Sequence, residues 1–202
     1  MTDLVLWRHG QTEYNAQARV QGQVDIPLNE TGWTQARQAA LALAERRPGR
    51  IVSSPLERAR QTASVLAELT GLPVCTEAGL MERDFGQWEG LNRKQMTDGW
   101  PDQYAAWRRG EDPQGVGVET RTDTSVRVGQ ALLRIVELAE RDGEELVVAV
   151  AHGSALTLGV TYLLGLDPTA WFGLRGLDNC HHAVLRRSGR DPGWNLVAWN
   201  VS

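Results

Sequence analysis

Cysteine is scarce in this chain: Cys75 and Cys180 are the only two among 202 residues. They lie far apart, with no CxxC pair and no framework spacing, so a disulfide scaffold is excluded. Both read as reduced, small buried side chains of a cytoplasmic protein. Long apolar runs are missing as well. The longest candidate, residues 146–166, is interrupted by His152, Gly153 and Ser154, so no stretch reaches the ~20 apolar residues of a membrane span, and no membrane partner is expected. The chain passes from Met1-Thr2-Asp3 straight into Leu4-Val5-Leu6-Trp7, without the basic segment that opens a secretory signal. Positive charge is not in excess either. The 21 Lys and Arg against 25 Asp and Glu give a formal charge of -4, which leaves no basic field to hold DNA or RNA. Only a local positive pocket is compatible with that balance.

What is present is ordinary globular composition, 42% hydrophobic and 23% charged with 21 Gly and 8 Pro. It excludes disorder, collagen and coiled coil as descriptions of the whole and fits a single domain over residues 1–202. A chain of this length buries about 70% of the surface its unfolded form exposes, so its core needs neither a disulfide nor a structural metal. An apolar strand or helix face left exposed would support a homodimer.

Residues 4–7 and 50–53 are short apolar runs that end on polar residues, Arg8-His9-Gly10 in one case and Ser54-Pro55 in the other. Both read as central strands. Residues 145–151, Glu-Leu-Val-Val-Ala-Val-Ala, have the continuous apolar character of a strand covered on both faces, turning into a helix beyond. Helical patterns lie between these runs. Trp33, Ala36, Ala40, Leu41, Leu43 and Ala44 recur at helical spacing over residues 31–46, before Pro48-Gly49. Residues 56–69 repeat the pattern up to Gly71-Leu72-Pro73, and residues 121–141 form the longest amphipathic stretch. The order strand, helix, strand, helix, strand predicts an α/β fold with a mainly parallel sheet. Residues 182–187 and 195–199 read as terminal strands at its edge. Residues 78–120, rich in Gly and Trp, break the pattern and predict an excursion covering one end of the sheet. Trp7, Trp33 and Trp199 read as core, whereas Trp88, Trp100 and Trp107 are candidates for the wall of a substrate cleft.

Ligands of open α/β sheets sit beyond the carboxyl ends of strands, and His9 and His152 both stand at such ends. Alone, a histidine after a strand is usually a hydrogen-bonded structural residue; two of them, with charges beside them, point elsewhere. Arg8-His9-Gly10 sets a permanent cation next to an imidazole, at a turn where Gly lets backbone amides approach a ligand. Arg58 lies in the first turns of a helix that also starts at a strand end, so its guanidinium and the helix amides can converge on a phosphate. No GxxxxGK[ST], GxGxxG or GxSxG motif occurs, which leaves nucleotide cradles and serine-hydrolase elbows unsupported. Cys180-His181-His182 is the one metal-like cluster. On a strand His181 would point away from the other two, so it reads as a packed strand start and no metal is expected there.

Five blocks together resemble the histidine phosphatase superfamily, the phosphoglycerate mutase-like group. They are the stretch Leu6 through Asn15 with its Arg-His-Gly-Gln-Thr, Gln21-Gly22-Gln23 through Leu28, and Ser53 through Ala63. Leu80 through Gly90, around Glu82-Arg83-Asp84-Phe85-Gly86, and Val148 through Gly153 complete them. Their order and spacing cover most of the chain. The resemblance implies a three-layer α/β/α fold with a mainly parallel central sheet and an antiparallel edge strand. It also implies a phosphomonoester hydrolase, metal-independent and without a cofactor, acting on small phosphorylated substrates such as sugar phosphates or phosphoglycerate derivatives.

By the same resemblance, His9 is the nucleophile that forms a phosphohistidine, and Arg8, Arg58 and His152 hold the transferring oxygens. Glu82 matches the acid that protonates the leaving oxygen, and Asn15 and Gln21 match further phosphate contacts. These roles answer a chemical need: a phosphate dianion repels nucleophiles until its oxygens are neutralised, and an alkoxide leaves poorly without a proton. Arg108 and Arg109 resemble a pair that binds a substrate carboxylate in mutases, and His182 departs from the small residues usual at the start of its strand. All three are candidates for substrate specificity. The usual Gly-Gly-Glu-Ser block is altered here to Gly117-Val118-Glu119-Thr120. Two alternatives stand beside the hydrolase. A cofactor-dependent phosphoglycerate mutase needs a long covering insert that excludes water, and the excursion here is short. A non-catalytic binder of phosphorylated ligands would be expected to have lost His9 or Glu82, and both are present.

Overall fold

The computed structural model describes residues 2–202. Strands β1 (Asp3–Arg8), β2 (Arg50–Ser53), β3 (Val74–Thr76), β4 (Leu146–Ala151), β5 (His182–Arg187) and β6 (Trp194–Val201) form one sheet in the order β3-β2-β4-β1-β5-β6. The first four are mutually parallel, and β5 pairs antiparallel with both β1 and β6. The one strand running against the others therefore lies next to the edge, with β6 outside it.

Side chains alternate across a strand, and both faces of this sheet are apolar. Leu4 and Leu6 of β1, with Val147 and Ala149 of β4, face α6 (Arg121–Arg141) and α7 (Gly153–Leu163), meeting Leu132, Ile135 and Leu156. Val5, Trp7, Val148 and Val150 face the other way, toward α2 (Glu30–Glu45) and α3 (Glu57–Thr70). Full burial of side chains such as Trp7, Leu132 and Leu156 contributes about 1.5–3 kcal/mol each. The helices start where their caps direct. Asn29 Oδ1 accepts from Gly32 N at 2.9 Å to open α2, and Thr120 Oγ1 accepts from Asp123 N at 3.0 Å to open α6. Gly71, in the left-handed conformation at φ 73°, closes α3. Among the described residues no helix is long and apolar enough to cross a membrane.

Four readings of the sequence change on the structure. Strand β3 follows the Gly71-Leu72-Pro73 turn and was not anticipated, because three residues carry no measurable period. It is the outer strand on its side, and so Cys75 is exposed rather than buried; Cys180 is the buried thiol. Residues 78–120 hold two 3-10 turns and the short helices α4 (Arg93–Gly99) and α5 (Pro101–Arg108). Their tryptophans do not wall a cleft: Trp88 is fully buried in a separate small core with Phe85, Met96, Tyr104 and Val116, against which Trp100 and Trp107 pack. Finally, Cys180 and His181 precede β5, Cys180 at a positive φ of 59°. A short helix α1 (Glu13–Ala16) follows β1.

Candidate active site

The register of β1 on β4 decides where the site lies. Arg8 pairs with Ala151, so the next residue of each strand, His9 and His152, leaves the carboxyl edge of the sheet beside the other. His9 N donates to Ala151 O at 3.0 Å, and the two ring centroids are 5.2 Å apart. Ser53 of β2 pairs with Val150, which carries Ser54 alongside His152 and starts α3 there, so Arg58 enters the same space fully buried. The turn after β1 packs backbone to backbone on the first turn of α2. A Cβ at Gly10 would stand 2.5 Å from Gly32 O, and one at Gly32 2.1 Å from Gln11 O, so both positions require glycine.

Hydrogen bonds set the protonation of both rings. His9 Nδ1 lies 2.7 Å from Gly10 O, and a carbonyl only accepts, so Nδ1 carries the proton and Nε2 keeps its lone pair. For His152 the donor is Arg58 Nε, 3.2 Å from Nδ1; a guanidinium only donates, so Nδ1 accepts and Nε2–H points to Ser54 Oγ at 2.7 Å. His152 is thus neutral, since its Nδ1 accepts. Burial, and then the charges of Arg58 and Arg8, hold the pKa of His9 well below the ordinary imidazole value. His152 is held down in the same way by burial, then by Arg58, His9 and Arg8.

The guanidinium groups are costly to keep here. Burial lowers the pKa of Arg58 to about 10 against the pull of Glu82, and lowers that of Arg8 as well. Arg58 is fixed by donating to Val24 O at 2.9 Å and Gly22 O at 2.7 Å, and Arg8 by donating from Nη1 to Leu177 O. Arg8 Nε is buried and finds no acceptor among the described residues. Asn15 and Gln21 turn their carbonyl oxygens to Thr12: Asn15 Oδ1 accepts from Thr12 N at 3.1 Å and Gln21 Oε1 from Thr12 Oγ1 at 2.7 Å. Their NH2 groups are left as donors.

Glu82 arrives from the excursion. Its carboxylate accepts from Arg83 N at 2.9 Å, Ala155 N at 2.8 Å and Ser154 N at 3.2 Å, the last two being opening amides of α7. Its own carbonyl accepts from Gln23 Nε2 at 3.1 Å. The segment before it is clamped by Arg127 of α6, which donates to Met81 O at 2.9 Å and Gly79 O at 3.0 Å and pairs with Glu119 at 2.7 Å.

Of the residues singled out from the sequence, the structure gathers Arg8, His9, Asn15, Gln21, Arg58, Glu82 and His152 at this edge. Three stand apart. Arg108 and Arg109 are exposed at the end of α5, with Arg109 paired to Glu111 at 2.7 Å. His182 faces away, paired across the sheet with Trp7 on the α2 face; burial, then Arg46 and His181, lower its pKa. Sequence reasoning missed Arg127, Gln23 and Glu89, whose carboxylate accepts from Gln23 N at 2.7 Å and Phe85 N at 3.2 Å. Gln23 and Glu89 lay within the blocks that carry the resemblance but had no role assigned, and near Arg127 the altered Gly117-Val118-Glu119-Thr120 block, which supplies Glu119, marked the region.

Desolvated cations beside neutral imidazoles, at the carboxyl edge of an α/β sheet, favour an anion that brings its own negative charge. This is the setting of enzymes that handle phosphoryl groups. Residues 4–202 match the profile of the histidine phosphatase superfamily (branch 1), and the chain belongs to that superfamily. Glucosyl-3-phosphoglycerate phosphatase of Mycolicibacterium vanbaalenii is 37% identical over 212 residues, covering 98% of this chain and 94% of the relative. A probable phosphoglycerate mutase of Enterobacter sp. is 35% identical over 209 residues, covering 100% and 91%. The solved mycobacterial glucosyl-3-phosphoglycerate phosphatase complexed with VO3 has a TM-score of 0.90 at 37% identity over 100% of both chains. The chain is a phosphatase of this superfamily.

Proposed function

We propose that this protein hydrolyses phosphomonoesters of small metabolites, sugar phosphates or phosphoglycerate derivatives, through a phosphohistidine on His9 and without a metal. The observation that carries this reading is the tautomer of His9. With Nδ1–H held by Gly10 O, the Nε2 lone pair is free to attack phosphorus, and burial beside two arginines keeps the ring neutral. Arg8 and Arg58 then neutralise the transferring oxygens, with the Nε2–H of His152, turned from Ser54 Oγ, and the NH2 groups of Asn15 and Gln21 as further donors. Their effect is largest where charge spreads over the equatorial oxygens of the transition state. Glu82 protonates the leaving alcohol oxygen as the P–O bond breaks and the Nε2–P bond forms. Its carboxylate next takes a proton from water, whose oxygen displaces His9 and releases inorganic phosphate. Two unpaired thiols fit a cytoplasmic setting.

The test is phosphate release from a panel of sugar phosphates, phosphoglycerates and phosphoserine, with chelator present and with His9→Ala beside the wild type. Chelator-resistant release that vanishes in the variant, with acid-labile phosphate on the wild-type protein, is the expected result. Isomer interconversion without release would make the protein a mutase, and neither activity would leave a binding protein.

A further inference from the structure

A second chemistry adjoins this site. A cavity of about 200 Å3 opens between α7, the start of α6 and residues 171–176, lined by Arg83, Arg121, Ser154, Trp171, Phe172 and Gly176 among others. It meets the site at two points. Ser154 N donates to Glu82 Oε2 at 3.2 Å, and Leu177, the neighbour of Gly176, gives its carbonyl to Arg8. On the hydrolase reading, with Glu82 protonating the leaving oxygen, this cavity is the space open to the alcohol half of a substrate.

Most cations around it are already engaged. Arg83 donates to Asp112 Oδ1 and Glu119 O, both at 2.6 Å. Arg109 is paired with Glu111, and Arg127 with Glu119. Arg121 differs. Its Nε donates to Pro168 O at 2.6 Å and its guanidinium carbon lies 4.7 Å from the Phe172 ring centroid. Its two Nη atoms meet no acceptor among the described residues. The nearby Asp112 Oδ1 is taken by Arg83 and by the backbone N of Arg121 at 3.0 Å. Partial burial, and then the like charge of Arg83, lower the pKa of Arg121 against the pull of Asp112, a shift that an anion beside it would reverse.

We propose that Arg121 determines specificity for a carboxylate on the alcohol half of the phosphomonoester, gripping it through the free edge of its guanidinium while the carbon framework lies against Trp171. The planar fork matches a carboxylate in a way that a hydroxyl does not. The proposal rests on the hydrolase reading above. It assigns to Arg121 the function that the sequence pattern attached to Arg108 and Arg109.

The experiment compares two substrate pairs whose members differ at the carboxylate: 3-phosphoglycerate with glycerol 3-phosphate, and O-phosphoserine with O-phosphoethanolamine. The wild type is expected to favour the carboxylate member by about 10-fold or more in kcat/KM. Arg121→Gln is expected to erase that preference through KM, with kcat held within about two-fold, and Arg121→Lys, which keeps the charge but not the fork, to retain part of it. A wild type that hydrolyses both members equally, or an Arg121→Gln that slows both equally while Arg121→Lys does the same, overturns the carboxylate site and leaves the hydrolase reading intact. Release from no phosphomonoester at all overturns the hydrolase reading instead.

Discussion

On the proposed mechanism Glu82 has two separable tasks, and replacing it should expose both. Helix α7 begins at Gly153 after His152, which makes no side-chain cap, and the Glu82 carboxylate supplies the missing acceptor to Ser154 N and Ala155 N at 3.2 and 2.8 Å. Glu82→Ala leaves those amides without it, a loss of about 0.5–2 kcal/mol by analogy with caps made within a helix. In a chain of this size that lowers Tm by about 2–4 °C per kcal/mol. Glu82→Gln keeps an oxygen on the same amides and should melt close to the wild type. In catalysis both variants lack the acid, and hydrolysis of alkyl phosphates should fall about 10²- to 10⁴-fold. With p-nitrophenyl phosphate the leaving phenolate needs little help, so Glu82→Gln should still phosphorylate His9. It then stalls at the water step, giving a burst of about one nitrophenolate per protein before a slow steady rate. Stopped-flow absorbance and a thermal melt measure the two tasks. Wild-type turnover of an alkyl phosphate by Glu82→Gln would refute the acid role, and an unchanged melt of Glu82→Ala would refute the cap.

Acid should destabilise the protein through its buried rings. Burial and the neighbouring arginines hold the pKa values of His9 and His152 well below the ordinary imidazole value of about 6.5, so as pH falls the unfolded chain binds protons before the folded one does. Stability is then complete above about pH 7 and declines below about pH 6.5, by up to about 1.4 kcal/mol per pH unit for each ring. Urea midpoints measured from pH 8 to pH 5 check this, and a flat profile would contradict it. The thiols should differ as sharply. Cys75 is exposed, and burial pushes Cys180 up to about 12, so a thiol reagent at pH 8 should titrate one cysteine quickly and the second only in denaturant. Two fast thiols would refute the buried position.

The fold was legible wherever a local pattern had enough length to declare itself. Residues 121–141, read from their apolar spacing, coincide with α6, and residues 182–187 coincide with β5. The reading failed at β3, three residues long, and in the excursion. There α4 and α5 are short and Trp88, Trp100 and Trp107 pack on one another instead of on the main sheet. The site was legible from strand ends for some of its residues, and from the superfamily blocks for Glu82, Asn15 and Gln21. His9, His152 and Arg58 were found because each sits just beyond an apolar run. Arg121 and Arg127 lie within a regular amphipathic helix and look there like any polar face.

Local sequence pattern was enough to specify the alternation of strands and helices, the placing of two histidines and an arginine at carboxyl ends, and the superfamily motifs. All of these are local and periodic, so the chain states them without knowing its own path. Tertiary contacts set which nitrogen of His152 is basic, because the guanidinium that donates to its Nδ1 belongs to Arg58, 94 residues away. The structure also separated His182 from the site and placed Arg121 beside the cavity that meets Glu82. Those outcomes depend on strand register and on the docking of a loop against a helix. Such contacts join residues far apart in the chain, and no local pattern encodes them.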